Sequence, residues 1–172
     1  MSIDPTLKFR FSDVAHAIDT TPKSLRNWLQ RSQVSLNSSQ PADGRWRFFE
    51  LEDVASLALV RAIVRFGIEV KEADIVARGI IGQQEDLFSV GNDDAIHVSD
   101  FGIYLWPFED SWKFTAFDRV SPFWEMTDLS EQAIVLRAGV IISRAFDRAL
   151  GRLAQLDTSD SISQSAEAEG VA

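Results

Sequence analysis

The stretch Phe11 to Arg31, FSDVAHAIDTTPKSLRNWLQR, constrains this chain more than any other, because two short helical patterns meet in it across a tight polar turn. Ser12 can accept from the free amides of a first turn, which makes it an N-cap candidate. Val14, Ala15 and Ile18 then recur at helical spacing, and the pattern predicts a first helix over Asp13 to Ile18. Asp19 and Thr20 break it. Thr21 caps the next helix, and Pro22 at its first position loses nothing, since that amide would be free in any case. From Pro22 to Arg31, Leu25, Trp28 and Leu29 fall at i, i+3 and i+4 and define a buried face. Lys23, Arg26, Asn27 and Gln30 fall on the opposite one. A hairpin of two helices also occurs as plain core structure, so the motif has to be weighed with what surrounds it.

Charge on its face argues against a nucleic-acid partner, because the net charge is −9 and phosphate contacts need Lys and Arg. The average hides a split. Residues 1–70 hold nine bases and eight acids, net +1, whereas residues 71–172 hold eight bases and eighteen acids, net −10. Such asymmetry is a hint of a nucleic-acid-facing half joined to something else. The chain contains no cysteine and two histidines, which leaves no disulfide framework, no thiolate chemistry and no histidine-rich metal centre. No apolar run reaches the roughly 18 residues of a membrane span, and MSIDPTLKFRF lacks the plan of a secretion signal. The expectation is a cytoplasmic protein without a membrane partner.

In chain order, Leu7, Phe9 and Phe11 alternate with polar or basic residues, consistent with a short strand or an extended arm. After Arg31, SQVSLNSSQPADG is loop composition, and Asp43-Gly44 is a turn signal. Arg45 to Phe49, RWRFF, alternates base and aromatic. With Val34 to Leu36 it predicts a small β-hairpin, or wing, its aromatic side on the helices and its arginines outward. The other reading is a core strand with solvated arginines. ELEDVASLALVRAIVRFGI follows as a helix: Glu50, Glu52 and Asp53 suit its positive end, Leu51, Val54, Ala55, Leu57 and Ala58 form a wide apolar face, and Gly67 stops it. Val70 to Ala77 predicts one more helix, ending before Gly79.

The order of helix, turn, LRNW, polar loop, DGRWRFF and ELEDVASLALVRAIVRFGIEVKEADIV resembles the DNA-binding domain of MerR-type transcriptional regulators, a winged helix-turn-helix. Leu25 and Arg26 match the family's second helix, with Trp28 standing for the packed aromatic. Arg47 and Phe49 match the wing, and Asp53, Val54, Leu57 and Gly67 match the third helix and its break. The resemblance covers roughly Phe9 to Ala77. Asn27 replaces the usual aromatic, Leu29 the usual acid and Phe48 a wing arginine, and the wing carries one extra residue at Arg45. Each departure weakens phosphate clamping as the family practises it. Excisionase-like winged proteins share much of the same pattern.

Beyond Ala77, Gly79 to Asp94 ends in GNDD, which has too few alternating oxygens for a calcium loop. Ile96–Val98, Gly102–Trp106 and Trp112–Phe117 predict short strands of an antiparallel sheet. Tyr104, Trp106, Trp112, Phe114, Phe117, Phe123 and Trp124 are either the core of that sheet or the lining of an effector pocket. His97 and Asp100 have no third group with which to form a catalytic set. Thr127 or Asp128 can cap a final helix, Leu129 to Leu153. One apolar row holds Leu129, Ala133, Leu136, Val140, Ala149, Leu150 and Leu153; a second holds Val135, Ile142 and Phe146. One row can serve the local sheet and the other a partner subunit, since MerR-like regulators dimerise through a C-terminal helix. The tail, DTSDSISQSAEAEGVA, has the composition of a disordered segment.

These readings amount to a mainly α protein with small β content (α+β). A MerR-like winged helix-turn-helix over residues 1–78 precedes an accessory α+β domain over 79–156, with a small antiparallel sheet and a long C-terminal helix for dimerisation or an effector, and a disordered acidic tail over 157–172. The expected partners are double-stranded DNA, a second copy in a homodimer, and a small-molecule or protein effector at the C-terminal domain. The expected DNA contacts are Ser12, Thr21, Lys23, Ser24, Arg26, Asn27, Gln30, Arg31, Arg45 and Arg47. No cofactor is expected. A protein-interaction module on the same fold and an excisionase-like architectural protein are the competing classes. An enzyme is the least supported, because no nucleophile, base and orienter can be assembled.

Overall fold

The computed structural model describes residues 7–36, 48–83, 87–90, 96–118 and 131–169, with the backbone alone for 88–90, 96–97 and 156–169. The predicted Asp43-Gly44 turn, the predicted wing arginines Arg45 and Arg47, the GNDD segment, Phe123, Trp124 and the predicted caps Thr127 or Asp128 lie outside the described residues.

A two-residue strand, β1 (Phe9–Arg10), leads without a break into α1 (Phe11–Ala17). The helix begins earlier than the sequence predicts, because extended Arg10 holds the N-cap position, and it does so without a side-chain cap bond. Ser12 is therefore not the N-cap; its hydroxyl donates to Asp13 Oδ1 at 3.3 Å. After α1, Asp19 adopts a left-handed backbone (φ 53°). The Thr20 N–H reaches back to the Ala15 carbonyl and the Asp19 N–H to that of His16, at 3.0 and 3.1 Å. This is a Schellman closure with aspartate where glycine is usual.

Thr21 starts α2 (Pro22–Gln30) as predicted: the Ser24 N–H donates to its Oγ1 at 3.1 Å, and Pro22 occupies the first turn. Leu25 and Trp28 are buried. A second Schellman closure ends α2, with Ser32 at φ 50° and the Gln33 N–H on the Trp28 carbonyl at 2.9 Å. The chain returns at β2 (Phe48–Phe49), which pairs antiparallel with β1 in the register Phe9 with Phe49 and Arg10 with Phe48. The predicted hairpin partner, Val34–Leu36, is not in that pairing. Val34 is buried in the core instead, and the Ser35 N–H donates to both Asp74 carboxylate oxygens at 3.2 Å.

α3 (Leu51–Val64) is the centre of the molecule, with ten of its fourteen residues buried. Its N-terminus is closed by a capping box in which the Glu50 N–H donates to Asp53 Oδ2 at 3.0 Å. Gly67, at φ 87°, turns the chain away as predicted. α4 (Val70–Gln83) then runs six residues past the predicted end at Ala77. Gly79 is no stop. A Cβ there would lie 2.5 Å from Phe114 Cζ, so the glycine is the notch that admits that ring against the helix.

β3 (Phe88–Val90) and β4 (Ile96–Val98) form an antiparallel ribbon. β5 (Gly102–Phe108) and β6 (Ser111–Phe117) form a hairpin, and β7 (Ile134–Leu136) adds to the other side of β5, giving the order β6-β5-β7. The last helix, α5 (Ala138–Glu169), starts nine residues after the predicted Leu129. Ile134 and Val135 are β-branched and suit the strand, in which Val135 is exposed and Leu136 buried. The helical backbone also continues to Glu169, through most of the segment whose composition predicts disorder. Ala, Gln and Glu there are strong helix formers, and they extend a helix already nucleated by packing.

α5 lies along α1 and α3, and its Ile142, Ala145, Phe146 and Ala149 are buried. One apolar cluster accordingly runs from Phe9, Val14 and Leu25 through Leu57 and Ile80 to Ile103 and Ile142. The expected boundary after residue 78 falls inside α4. The architecture is α+β: a helical assembly in which a small antiparallel sheet covers one side.

Candidate nucleic-acid interface

The outer face of α2 is built by its spacing. Positions 23, 26, 27 and 30 share one side of a 3.6-residue helix, and Lys23, Arg26, Asn27 and Gln30 are all exposed, as is Arg31 at the C-cap. Among the described residues, the side chains of Lys23, Asn27, Gln30 and Arg31 make no hydrogen bond or ion pair with the protein. Their donors and acceptors are available to a ligand. On the inner face, Leu25 and Trp28 enter the core and Leu29 packs against it half-buried, so the helix cannot roll to hide its polar side.

Arg26 is treated differently. Its guanidinium sits over the Phe11 ring at 5.7 Å from the centroid, and Phe11 in turn packs tilted on Phe49, with centroids 6.2 Å apart. A cation on an aromatic face is attracted by the ring quadrupole. Strand β2 at Phe49, the start of α1 and the middle of α2 are thereby joined in one stack, which sets the direction of the arginine.

The remaining predicted residues divide by role. Thr21 is engaged as the cap, and its hydroxyl lies 2.9 Å from that of Ser24, so both serve the helix start. Ser12 is exposed on the first turn of α1, next to the Phe11 and Arg26 stack. Arg45 and Arg47 lie outside the described residues, though β2 begins one residue after Arg47. Two further bases, Lys8 and Arg10, are both exposed, Arg10 in the strand paired with β2 and Lys8 just before it. Their signal in the sequence is the alternation of Leu7, Phe9 and Phe11 with these two bases.

Two contacts fix the flanks of α2. Arg61 Nε donates to the Asp19 carbonyl at 3.0 Å, tying the incoming turn to α3. Asp74, itself buried, accepts from Ser35 and from Arg78 Nε at 2.9 Å, tying the outgoing chain to α4. Behind the motif, Asp13 is 1% exposed with Oδ2 unpartnered, and Arg152 Nε of α5 approaches its Oδ1 to 3.8 Å.

This arrangement, a Thr-Pro-started helix presented between a closed turn and the β1-β2 pair, is the helix-turn-helix class of fold. Residues 9–80 match the family model described as MerR HTH family regulatory protein. The N-terminal part of the chain is thus a MerR-type helix-turn-helix domain, and at the level of that family it is the domain of DNA-binding transcription regulators. No curated protein matches the chain. Among the described residues, no group of three or more His, Asp and Glu is placed to hold a metal ion, and no helix is long and apolar enough to cross a membrane.

Proposed function

We propose that this protein is a sequence-specific DNA-binding transcriptional regulator whose α2, with the C-cap Arg31, enters the major groove. The observation that carries the reading is the exposed, unpartnered row Lys23, Asn27 and Gln30 beside the stacked Arg26. Asn and Gln match the adenine edge and Arg and Lys the guanine edge. Lys23, Asn27 and Gln30 lie nearest the bases. Arg26, Arg31 and the wing residues 45–49, with Arg45 and Arg47, hold the phosphate backbone, and Ser12, Thr21 and Ser24 lie along its approach. Lys8 and Arg10 add charge beside the wing.

A module of net charge +1 binds one half-site weakly, which favours a homodimer, because two linked sites raise the effective affinity. Retardation of genomic DNA fragments by the full-length protein tests the proposal. Binding should fall steeply with salt, with a log-log slope of about −4 to −5 for some four to six phosphates neutralised. Arg26→Ala should weaken it by about tenfold. A protein that retards no DNA at low salt, yet captures a protein partner, would instead support the interaction-module reading that the overall charge of −9 favours.

A further inference from the structure

At the C-terminal end of α1 the surface opens into a groove of about 490 Å³ between the last turns of α3 and the second and third turns of α5. Four of the chain's thirteen arginines line it. Arg61 in the last turn of α3 and Arg65 at its C-cap form an i, i+4 pair, and Arg144 and Arg148 form another on α5. The base of the groove is apolar, made by the buried Ile18, Ala58 and Leu136 together with half-buried Ile141. Phe66, 56% exposed, stands on its lining.

Like charges at i, i+4 disfavour a helix by a few tenths of a kcal/mol per pair, and a protein of net charge −9 has many carboxylates with which to offset them. It does not use them here. Among the described residues, Arg65, Arg144 and Arg148 have no ion pair, even though Asp147 is three residues from Arg144. Arg61 is engaged only with the Asp19 carbonyl, and Asp19 is the one acidic residue on the lining. The negative end of the α3 dipole accounts for Arg61 and Arg65. It does not account for Arg144 and Arg148, which sit inside α5.

We infer that this groove is a binding site for an amphipathic organic anion, a carboxylate or phosphate head on an apolar body. Guanidinium forks match both kinds of head in a bidentate fashion. The volume falls within the range of small-molecule sites, and apolar walls with a few convergent polar groups are their usual lining. The site is separate from the reading face. Arg26 stacks at the N-terminal end of α1, whereas the groove lies at its C-terminal end, a separation of about 10 Å for seven helical residues. It is nevertheless connected to that face, since an anion that draws Arg61 away from the Asp19 carbonyl releases the turn leading into α2, and one held by Arg144 and Arg148 as well fastens α5 to α3.

Calorimetric titration of the full-length protein with hexyl phosphate, octanoate and inorganic phosphate, in the absence of DNA, tests the inference. At least one of the two amphiphiles should bind at least about tenfold more tightly than inorganic phosphate, and which of them does so identifies the head group. The exposed double substitution Arg144→Ala with Arg148→Ala should weaken that binding by at least about tenfold while leaving the melting temperature within about 2 °C. Arg65→Ala, on the other wall, should weaken it too. Arg137→Ala, exposed just before α5 and outside the groove, should not. Binding of neither amphiphile, equal binding of inorganic phosphate, or binding that survives the double substitution would overturn the inference. So would loss of DNA retardation in the double variant without any effect on amphiphile binding, because the arginines would then be contacts for the DNA backbone.

Discussion

α2 and α3 are neighbours in sequence and opposites in construction. α3 buries ten of fourteen residues, closes its own N-terminus with a capping box and touches α1, α4 and α5. α2 buries two of nine, Leu25 and Trp28, and leaves a polar row facing outward with no partner in the protein. A helix apolar all round serves the core, and one apolar on a stripe has a face to spare. The difference shows where the molecule's stability resides and, on the function proposed above, where its recognition resides, and it implies that the two can be damaged separately.

The largest expected effect is in the central helix. Leu59→Ala, at a fully buried position, should lower unfolding free energy in denaturant titration by about 2–5 kcal/mol. A loss below about 1 kcal/mol would mean that α3 is not the core element described. Next is Asp74, whose carboxylate holds Ser35 and Arg78. Asp74→Ala strands the Ser35 amide and should cost about 1–3 kcal/mol in the same assay, with faster amide exchange at Ser35 as the local sign. Thr21→Ala removes the α2 cap and should cost about 1 kcal/mol, read as a small drop in melting temperature. The smallest effect has the opposite sign. Asp19→Gly relieves a left-handed aspartate at some cost in unfolded-state entropy, so a gain of about 0.5 kcal/mol is expected; a loss would show that the aspartate side chain stabilises the turn.

Local chemistry made α2 and α3 legible in the sequence. Thr21-Pro22 announces a helix start, Leu25, Trp28 and Leu29 announce a face, and Gly67 announces a stop. Features set by distant contacts were not legible. Gly79 reads as a terminator until Phe114, thirty-five residues away, is seen to need its missing side chain. Ile134 to Leu136 continue a helical apolar row on paper, and only pairing with Ile103 to Leu105 makes them a strand. The left-handed turns at Asp19 and Ser32 lack the glycine that would mark them. The arginine groove combines two i, i+4 pairs about eighty residues apart, each of which by itself looks like an ordinary solvated helix face.

The claim that the outer face of α2 reads DNA and contributes nothing to folding is tested most directly by the triple substitution Lys23→Ala, Asn27→Ala and Gln30→Ala. Melting temperature and DNA affinity are to be measured on the same preparation. The melting temperature should stay within about 2 °C of the parent, while affinity for a selected DNA site falls by at least about tenfold and its preference over unrelated DNA disappears. Unchanged affinity and preference in a folded triple variant would contradict the account.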